Sequence, residues 1–196
     1  FKIHAHWMLN LYGSNPKKDF EDFKKLFTDE SLRPDELKIY PCSLIKDTKL
    51  FDLYKKKKWK PYTEKQLFNI LEKCVTFTPR YCRLSRVVRD ISSDDIMEGN
   101  KKSNFRQMVE RSLRDKNIKI SEIRSREIKD EKVSFSELSL NMYPYETSNS
   151  TEYFLEYVTK EDKLVGFLRL SLPLKRSFVE EIADSAVIRE VHVYGE

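Results

Sequence analysis

Apolar and polar residues alternate over the first eight positions, with Phe1, Ile3, Ala5 and Trp7 on one side and Lys2, His4, His6 and Met8 on the other; this period of two predicts a strand. After the turn Leu11-Tyr12-Gly13-Ser14 the period lengthens. Asn15 can cap a helix whose first position is Pro16, where the missing N–H costs nothing, and Phe20, Phe23, Leu26 and Phe27 give that helix one apolar face. Arg33-Pro34 breaks the chain, which returns as a strand through Leu37 and Ile39, closed by Pro41. A helical stretch from about Thr48 carries Leu50, Phe51, Leu53 and Tyr54 up to the run KKKKWK at 55–60. The next helix has better punctuation: Thr63 and Gln66 form a capping box, and Tyr62 and Leu67 occupy the hydrophobic-staple positions. Leu67, Ile70, Leu71, Cys74 and Val75 make its apolar stripe, and Pro79 ends it.

A strand follows with arginine at every third position, Arg80, Arg83, Arg86 and Arg89. Strict alternation puts Arg86 on the face of Cys82, Leu84 and Val88, where a guanidinium needs a buried carboxylate or an anionic ligand. Strand, helix, strand, helix pair, strand is the order of parallel β/α units, and three strands make part of a barrel. Barrel chemistry sits at the C-terminal strand ends, here His6, Lys38, Tyr40 and Arg89.

Past Gly99 the character changes. Ser103 or Asn104 can cap a helix with Phe105, Met108, Val109 and Leu113 inward and Arg106, Arg111 and Arg114 outward. From Ile118 the period is two, with candidate strands at 118–126, 132–140, 152–159, 163–172 and 186–194 and a hairpin turn at Lys160-Glu161-Asp162. The stretch Tyr143–Thr151, rich in turn formers, reads as a mobile loop. The expected organisation is thus α/β plus α+β, with a partial barrel over 1–95, a basic linker helix over 96–117 and an antiparallel meander over 118–196.

Charge sharpens the view of the junction. Arg80–Lys132 holds 15 Lys+Arg and 10 Asp+Glu, an excess equal to the net +5 of the whole chain. A basic zone between two folded pieces fits a nucleic-acid contact, and it fits a solvated connecting surface equally well. The 35% charged and 12% aromatic residues describe a foldable chain, and no apolar run reads as a membrane helix. Cys42, Cys74 and Cys82 have no CxxC spacing, which argues against structural zinc or a disulfide framework and for a reducing cytoplasm. The opening FKIHAHWM has no start methionine or signal-peptide pattern, so the chain reads as a fragment.

Four constellations can carry chemistry. His4 and His6 share a strand face but have no third metal ligand in view. Lys38 and Tyr40 share another face, suited either to an anionic, stackable ligand or to an ordinary strand end. KKKKWK with Tyr62 combines cations and aromatics as an RNA surface does, or simply ends a helix. Glu190, His192 and Tyr194 align on one strand as acid, imidazole and phenol, which an ordinary half-exposed strand explains equally.

The runs RPDELKIYP (33–41), RVVRDI (86–91), EGN (98–100), RSRE (124–127), GFLRLSLP (166–173) and IREVHVYG (188–195) occur in that order. Together they resemble the catalytic subunit of Elongator, a radical-SAM and acetyltransferase family acting on wobble uridine in tRNA, over essentially the whole chain. The resemblance implies the C-terminal part of a radical-SAM partial barrel joined to the first strands of a GNAT-like acetyltransferase domain. It implies acetyl-CoA contacts at Glu190, Val191, His192 and Val193, a radical-SAM pocket near Lys38, Tyr40 and Arg86, and tRNA contacts from Arg80, Arg83, Lys101, Lys102 and Arg106. S-adenosylmethionine and a [4Fe-4S] cluster are implied for the family, but its CxxxCxxC-like ligands do not occur in this chain, nor does the glycine-rich pyrophosphate turn. The cysteines with which some relatives bind zinc are missing from 119–125, so no zinc is expected. Tyr12 stands where the family's Leu-Pro-Gly turn has proline. Implied partners are tRNA and either Elongator-like subunits or a second copy. The competing reading is a non-catalytic RNA-binding module on the same scaffold.

Overall fold

The computed structural model describes residues 1–196 apart from 89, 90, 93, 103, 178 and 196. Two of the positions singled out above, Arg89 and Ser103, therefore lie outside the described residues. In chain order the first half contains β1 (His4–Leu9), α1 (Pro16–Thr28), β2 (Glu36–Pro41), β3 (Leu44–Ile45), α2 (Lys49–Lys55), α3 (Glu64–Phe77), β4 (Arg83–Val87) and β5 (Ile96–Glu98). Then come α4 (Phe105–Asp115), α5 (Ile123–Arg126), β6 (Ser139–Glu146), β7 (Ser150–Val158), β8 (Leu164–Pro173) and β9 (Val187–Val193).

The caps read from sequence set the helix starts. Asn15 accepts from the N–H groups of Lys17 and Lys18 with Pro16 opening α1, and Thr63 and Gln66 close the capping box of α3. Every residue of the α3 stripe is buried. Asn104 occupies the cap position of α4 without a side-chain hydrogen bond.

Strands β1, β2 and β4 form a parallel sheet in the order β1-β2-β4, with Leu37, Ile39, Leu84 and Val87 buried on one face. Strict alternation fails in β4. Leu37 pairs with Leu84 but Lys38 pairs with Arg86, so Ser85 is an extra residue, a bulge that reverses the parity of the rest of the strand. Val87 thus turns inward three residues after Leu84, and Arg86 is exposed rather than set among the apolar side chains.

The second half is a four-stranded antiparallel meander, β6-β7-β8-β9. Its hairpin turn ends on Asp162 with φ +67°, and the Asp162 N–H donates to the Thr159 carbonyl at 2.9 Å. Three expectations fail here. The stretch 118–126 is no strand, because the Glu122 carboxylate accepts from the N–H groups of Arg124 and Ser125 and starts α5. Residues 135–137 form a 3-10 turn within the strand expected at 132–140. The loop expected at Tyr143–Thr151 is strand pairing, with Tyr143 opposite Phe154 and the reversal confined to the few residues between β6 and β7. Pro144 is tolerated because β6 lies at the sheet edge.

The two halves share one core running from Leu9, Phe23 and Leu84 through Phe105 and Ile123 to Phe154 and Phe167. Main-chain bonds reinforce it: Ile123 N–H donates to Cys82 O at 3.1 Å, and Ile128 N–H to Leu164 O at 2.9 Å. The opposite face of the meander is apolar yet uncovered. Met142, Leu155, Leu168 and Val191 form one cross-strand row, and Pro144, Tyr153, Leu170 and Ile188 the next.

Candidate functional site at the barrel mouth and the sheet edge

Because α1 and α3 cover one face of the parallel sheet, the other carries the polar side chains of each strand. Register aligns His4 with Glu36, His6 with Lys38, and Lys38 with Arg86, so three basic side chains cross the sheet in one row. The His6 ring stacks edgewise on His4 at 5.5 Å and on Tyr40 at 5.6 Å. Burial, and then the charge of Lys38, hold the His4 pKa below its usual value despite Glu36 nearby.

At the C-terminal strand ends this face opens into a cavity of about 390 Å³ lined by His6, Met8, Tyr40, Cys42, Lys101 and Lys102 among others. Tyr40 and the two lysines, predicted for separate roles, share that rim. Lys38 stands one row behind it. Lys102 is exposed and meets Glu64 at 2.5 Å, and Lys101 is exposed at the rim.

The three arginines placed in the tRNA set sit differently. Arg80 is bound by Glu156 and by Asp162, at 2.6 Å to the latter, with its guanidinium 4.8 Å from the Tyr143 ring. Arg83 donates to Glu127 at 2.8 Å. Arg106, expected on the outside of α4, is turned in, and donates to Leu84 O and to Glu122, both at 2.6 Å. Arg126 joins Glu156 at 2.6 Å, so Arg80, Arg126 and Lys119 surround the carboxylates of Glu156 and Asp162. Burial raises the Asp162 pKa, but hydrogen bonds from Arg80 and Lys119 overcome it and hold the group at about 2. Arg80, Arg83, Arg106 and Arg126 are thus committed to carboxylates of the same chain, while Arg124 donates to the Ser85 carbonyl.

A second ion cluster escaped the sequence reading. Arg169 is fully buried, with its guanidinium 5.3 and 5.1 Å from the Phe154 and Phe167 rings. It donates to Glu190 at 2.8 Å, and its Nη1 lies 3.3 Å from Asp35. Arg189 binds Asp35 through two nitrogens at 2.8 and 2.9 Å and Glu152 at 2.7 Å. A bulge opposite Arg169 and Leu170 lets the consecutive residues Arg189 and Glu190 both reach this cluster. The available signal was parity, since Phe167, Arg169 and Ser171 share a face in GFLRLSLP.

Glu190 is also bound by Lys2 at 2.8 Å, so its carboxylate belongs to the cluster. His192 stacks on Phe167 at 5.7 Å, and burial raises the Tyr194 pKa. The acid and the imidazole therefore have structural partners, and the Tyr194 ring packs on His192 at 4.3 Å while its hydroxyl is buried without a hydrogen-bond partner among the described residues. Val191 and Val193 are exposed. Since Tyr194 N–H bonds back to Val165 on β8, the alternation of antiparallel pairing turns the main-chain groups of Val191 and Val193 toward the free edge.

Among the described residues no three His, Cys, Asp or Glu side chains gather as metal ligands would, and Cys74 and Cys82 are sealed in the core. An iron–sulfur cluster does not fit these cysteines. No helix of the described residues is long and apolar enough to cross a membrane.

The fold is a mixed α/β one, and residues 34–115, from just before β2 to the end of α4, match the Radical_SAM C-terminal domain, with the antiparallel meander lying outside that match. The whole chain is 36% identical to a tRNA uridine(34) acetyltransferase of Methanocaldococcus jannaschii and 30% identical to human Elongator complex protein 3, covering 37% of each. The solved structure of Methanocaldococcus infernus Elp3 with an N-terminal deletion superposes on 99% of the chain with a TM-score of 0.90 at 35% identity, and the chain covers 47% of it. The chain belongs to the Elongator catalytic-subunit family and spans less than half the length of these relatives.

Proposed function

We propose that this chain is the joint between the two catalytic halves of a tRNA wobble-uridine acetyltransferase, an enzyme that places a carboxymethyl-type group on C5 of uridine. The observation carrying the reading is that essentially the whole of this chain matches relatives named tRNA uridine(34) acetyltransferase, over 37–38% of their length. S-adenosylmethionine and acetyl-CoA, when bound, would supply the radical and the two-carbon unit. The [4Fe-4S] cluster of the family would need ligands from outside this chain.

Within that reading each half has its own part. The row of His6, Lys38 and Arg86 makes the inner barrel face positive, suited to anionic ligand groups, and Tyr40 offers a ring at the rim for a base to stack on. Lys101 and Lys102 would meet RNA phosphates there. What supports acetyl-CoA beside β9 is the main-chain edge at Val191 and Val193, where amide groups can bond a ligand without any side chain. For Arg80, Arg83 and Arg106 we propose a positioning role: they hold the seam rigid beneath the RNA. A cytoplasmic enzyme with tRNA as substrate, working with Elongator-like subunits or as a homodimer, follows from the same reading.

The test is chemical. In cells lacking the gene that carries this segment, mass spectrometry of wobble uridines should show loss of the C5 carboxymethyl-type group. Unchanged wobble uridines would refute the proposal.

A further inference from the structure

Beside the barrel mouth lies a larger cavity, about 1050 Å³, between the β1–α1 turn and the α2–α3 connection. It is lined by Tyr12, Tyr54, Lys57, Lys58, Lys60 and Tyr62, with Trp59 also in its wall. We infer that this groove is a second RNA-backbone site, which takes the phosphates of single-stranded nucleotides flanking the base presented at the mouth and stacks one flanking base on Tyr12. The inference rests on the tRNA reading above and adds a location to it.

Three observations carry it. The first is unpaired charge: Lys57, Lys58 and Lys60 are exposed, and among the described residues none has a carboxylate partner, whereas Lys55 meets Asp52 at 3.1 Å. Lys57 and Lys58 close the C-terminal end of α2, their N–H groups donating to Tyr54 O and Leu53 O at 2.9 Å, so the helix dipole favours those two cations, whereas Lys60 stands beyond the helix end. Lys17 and Lys18 in the first turn of the neighbouring α1 add to the excess, at a helix end that disfavours cations.

The second is that the groove is built. Buried Asp19 accepts the Asn10 N–H at 2.7 Å, the Tyr62 hydroxyl at 2.6 Å and the Ser14 hydroxyl. Trp59 donates its indole N–H to Asn10 O at 2.9 Å, and the Asn10 amide donates to Lys60 O at 3.1 Å. Asn10 holds φ +64° and Lys57 φ +55°, so both walls are kept in conformations that isolated chains rarely adopt. These bonds leave the lysine ammonium groups free while fixing the backbone that carries them. Tyr12, meanwhile, is 56% exposed, an aromatic with no packing reason to stand there.

The third is position. The turn after β1 starts one residue past Leu9, and Met8 lines the mouth cavity. Both cavities therefore open at the C-terminal ends of the parallel strands, and a single strand of RNA held at Lys101 and Lys102 continues onto the groove lysines. Lysines that hold phosphates beside tyrosines that take base faces are the combination used for single strands without sequence readout.

The experiment is a salt titration of anticodon stem-loop RNA binding to the full chain, by fluorescence anisotropy. Changing Lys57, Lys58 and Lys60 together to alanine should reduce the slope of log K against log salt by about two, since each single-strand phosphate contact contributes roughly 0.7. Tyr12→Ala should weaken binding roughly 5- to 150-fold with the slope unchanged. A control removing the exposed Lys129, Lys132 and Lys160 should leave the slope in place. Equal losses in the control and the groove variant, or an unchanged slope in the groove variant, would overturn the site while leaving the wobble-uridine test untouched. Failure of the unaltered chain to bind the hairpin, or a preference for phosphatidylserine vesicles over RNA, would overturn it too.

Discussion

The guanidinium of Arg169, on the inner face of β8, lies 3.3 Å from the carboxylate of Asp35, which immediately precedes β2. Both side chains are about 1% exposed, so an ion pair with almost no solvent joins the half-barrel to the meander. Burial raises the Asp35 pKa, but Arg189 and Arg169 outweigh it and leave the carboxyl below its ordinary value.

Removing the acid from this pair should be costly. Asp35→Ala leaves Arg169 with Glu190 and Arg189 with Glu152 as their remaining carboxylates and leaves the Ile3 N–H without its acceptor, and urea denaturation should show a loss of about 3 kcal/mol. A loss below about 1 kcal/mol would mean that the cluster is hydrated and does not lock the halves.

The Asp162 carboxyl gives a pH signature. Its folded pKa of about 2 lies below the ordinary value of 3.8, so the folded form holds its proton more weakly than the unfolded chain does. The stabilisation is present above about pH 4 and is lost as pH falls toward 2. Denaturation midpoints measured across that window should fall more steeply in the unaltered chain than in Asp162→Asn. Parallel curves would show that Asp162 carries no such linkage.

Arg106 and the mouth lysines should separate cleanly. Arg106→Ala leaves the fully buried Glu122 without its guanidinium and should cost about 3 kcal/mol of stability. Lys101→Ala with Lys102→Ala should leave stability within about 0.5 kcal/mol and lower the salt slope of RNA binding. The reverse assignment, a stable Arg106 variant with a reduced salt slope, would return Arg106 to the RNA surface.

The uncovered face of the meander predicts association. Val191 is 61% and Ile188 59% exposed within apolar rows that run across all four strands. The isolated chain should bind ANS and self-associate with rising concentration in sedimentation velocity, and Ile188→Lys with Val191→Lys should suppress both. A monomer at all concentrations that binds no dye would contradict this.

What the sequence disclosed was local. The Asn15 and Thr63 caps, the five-residue stripe of α3 and the strands around Leu37 and Leu168 follow from spacing alone. The bulge at Ser85 does not, because one extra residue reverses parity without leaving a mark on composition. Strand β6 was hidden by Pro144 and by turn formers that an edge strand tolerates. Arg80 looked available because its partners, Glu156 on β7 and Asp162 in the turn after it, are distant in sequence and only the fold brings them near. At the mouth, the resemblance named Tyr40, Lys101 and Lys102, but only the fold gathers them on one rim, with Tyr40 near the end of β2 and the lysines following β5, which pairs with β3.

The buried pairing of Asp35 with Arg169 has a consequence for choreography. Two pieces clamped by ions in a dry interior make a poor hinge, so the span from the barrel mouth to the edge of β9 is set when the chain folds. If the proposed ligands do bind at both places, they make the journey themselves while the scaffold stays still.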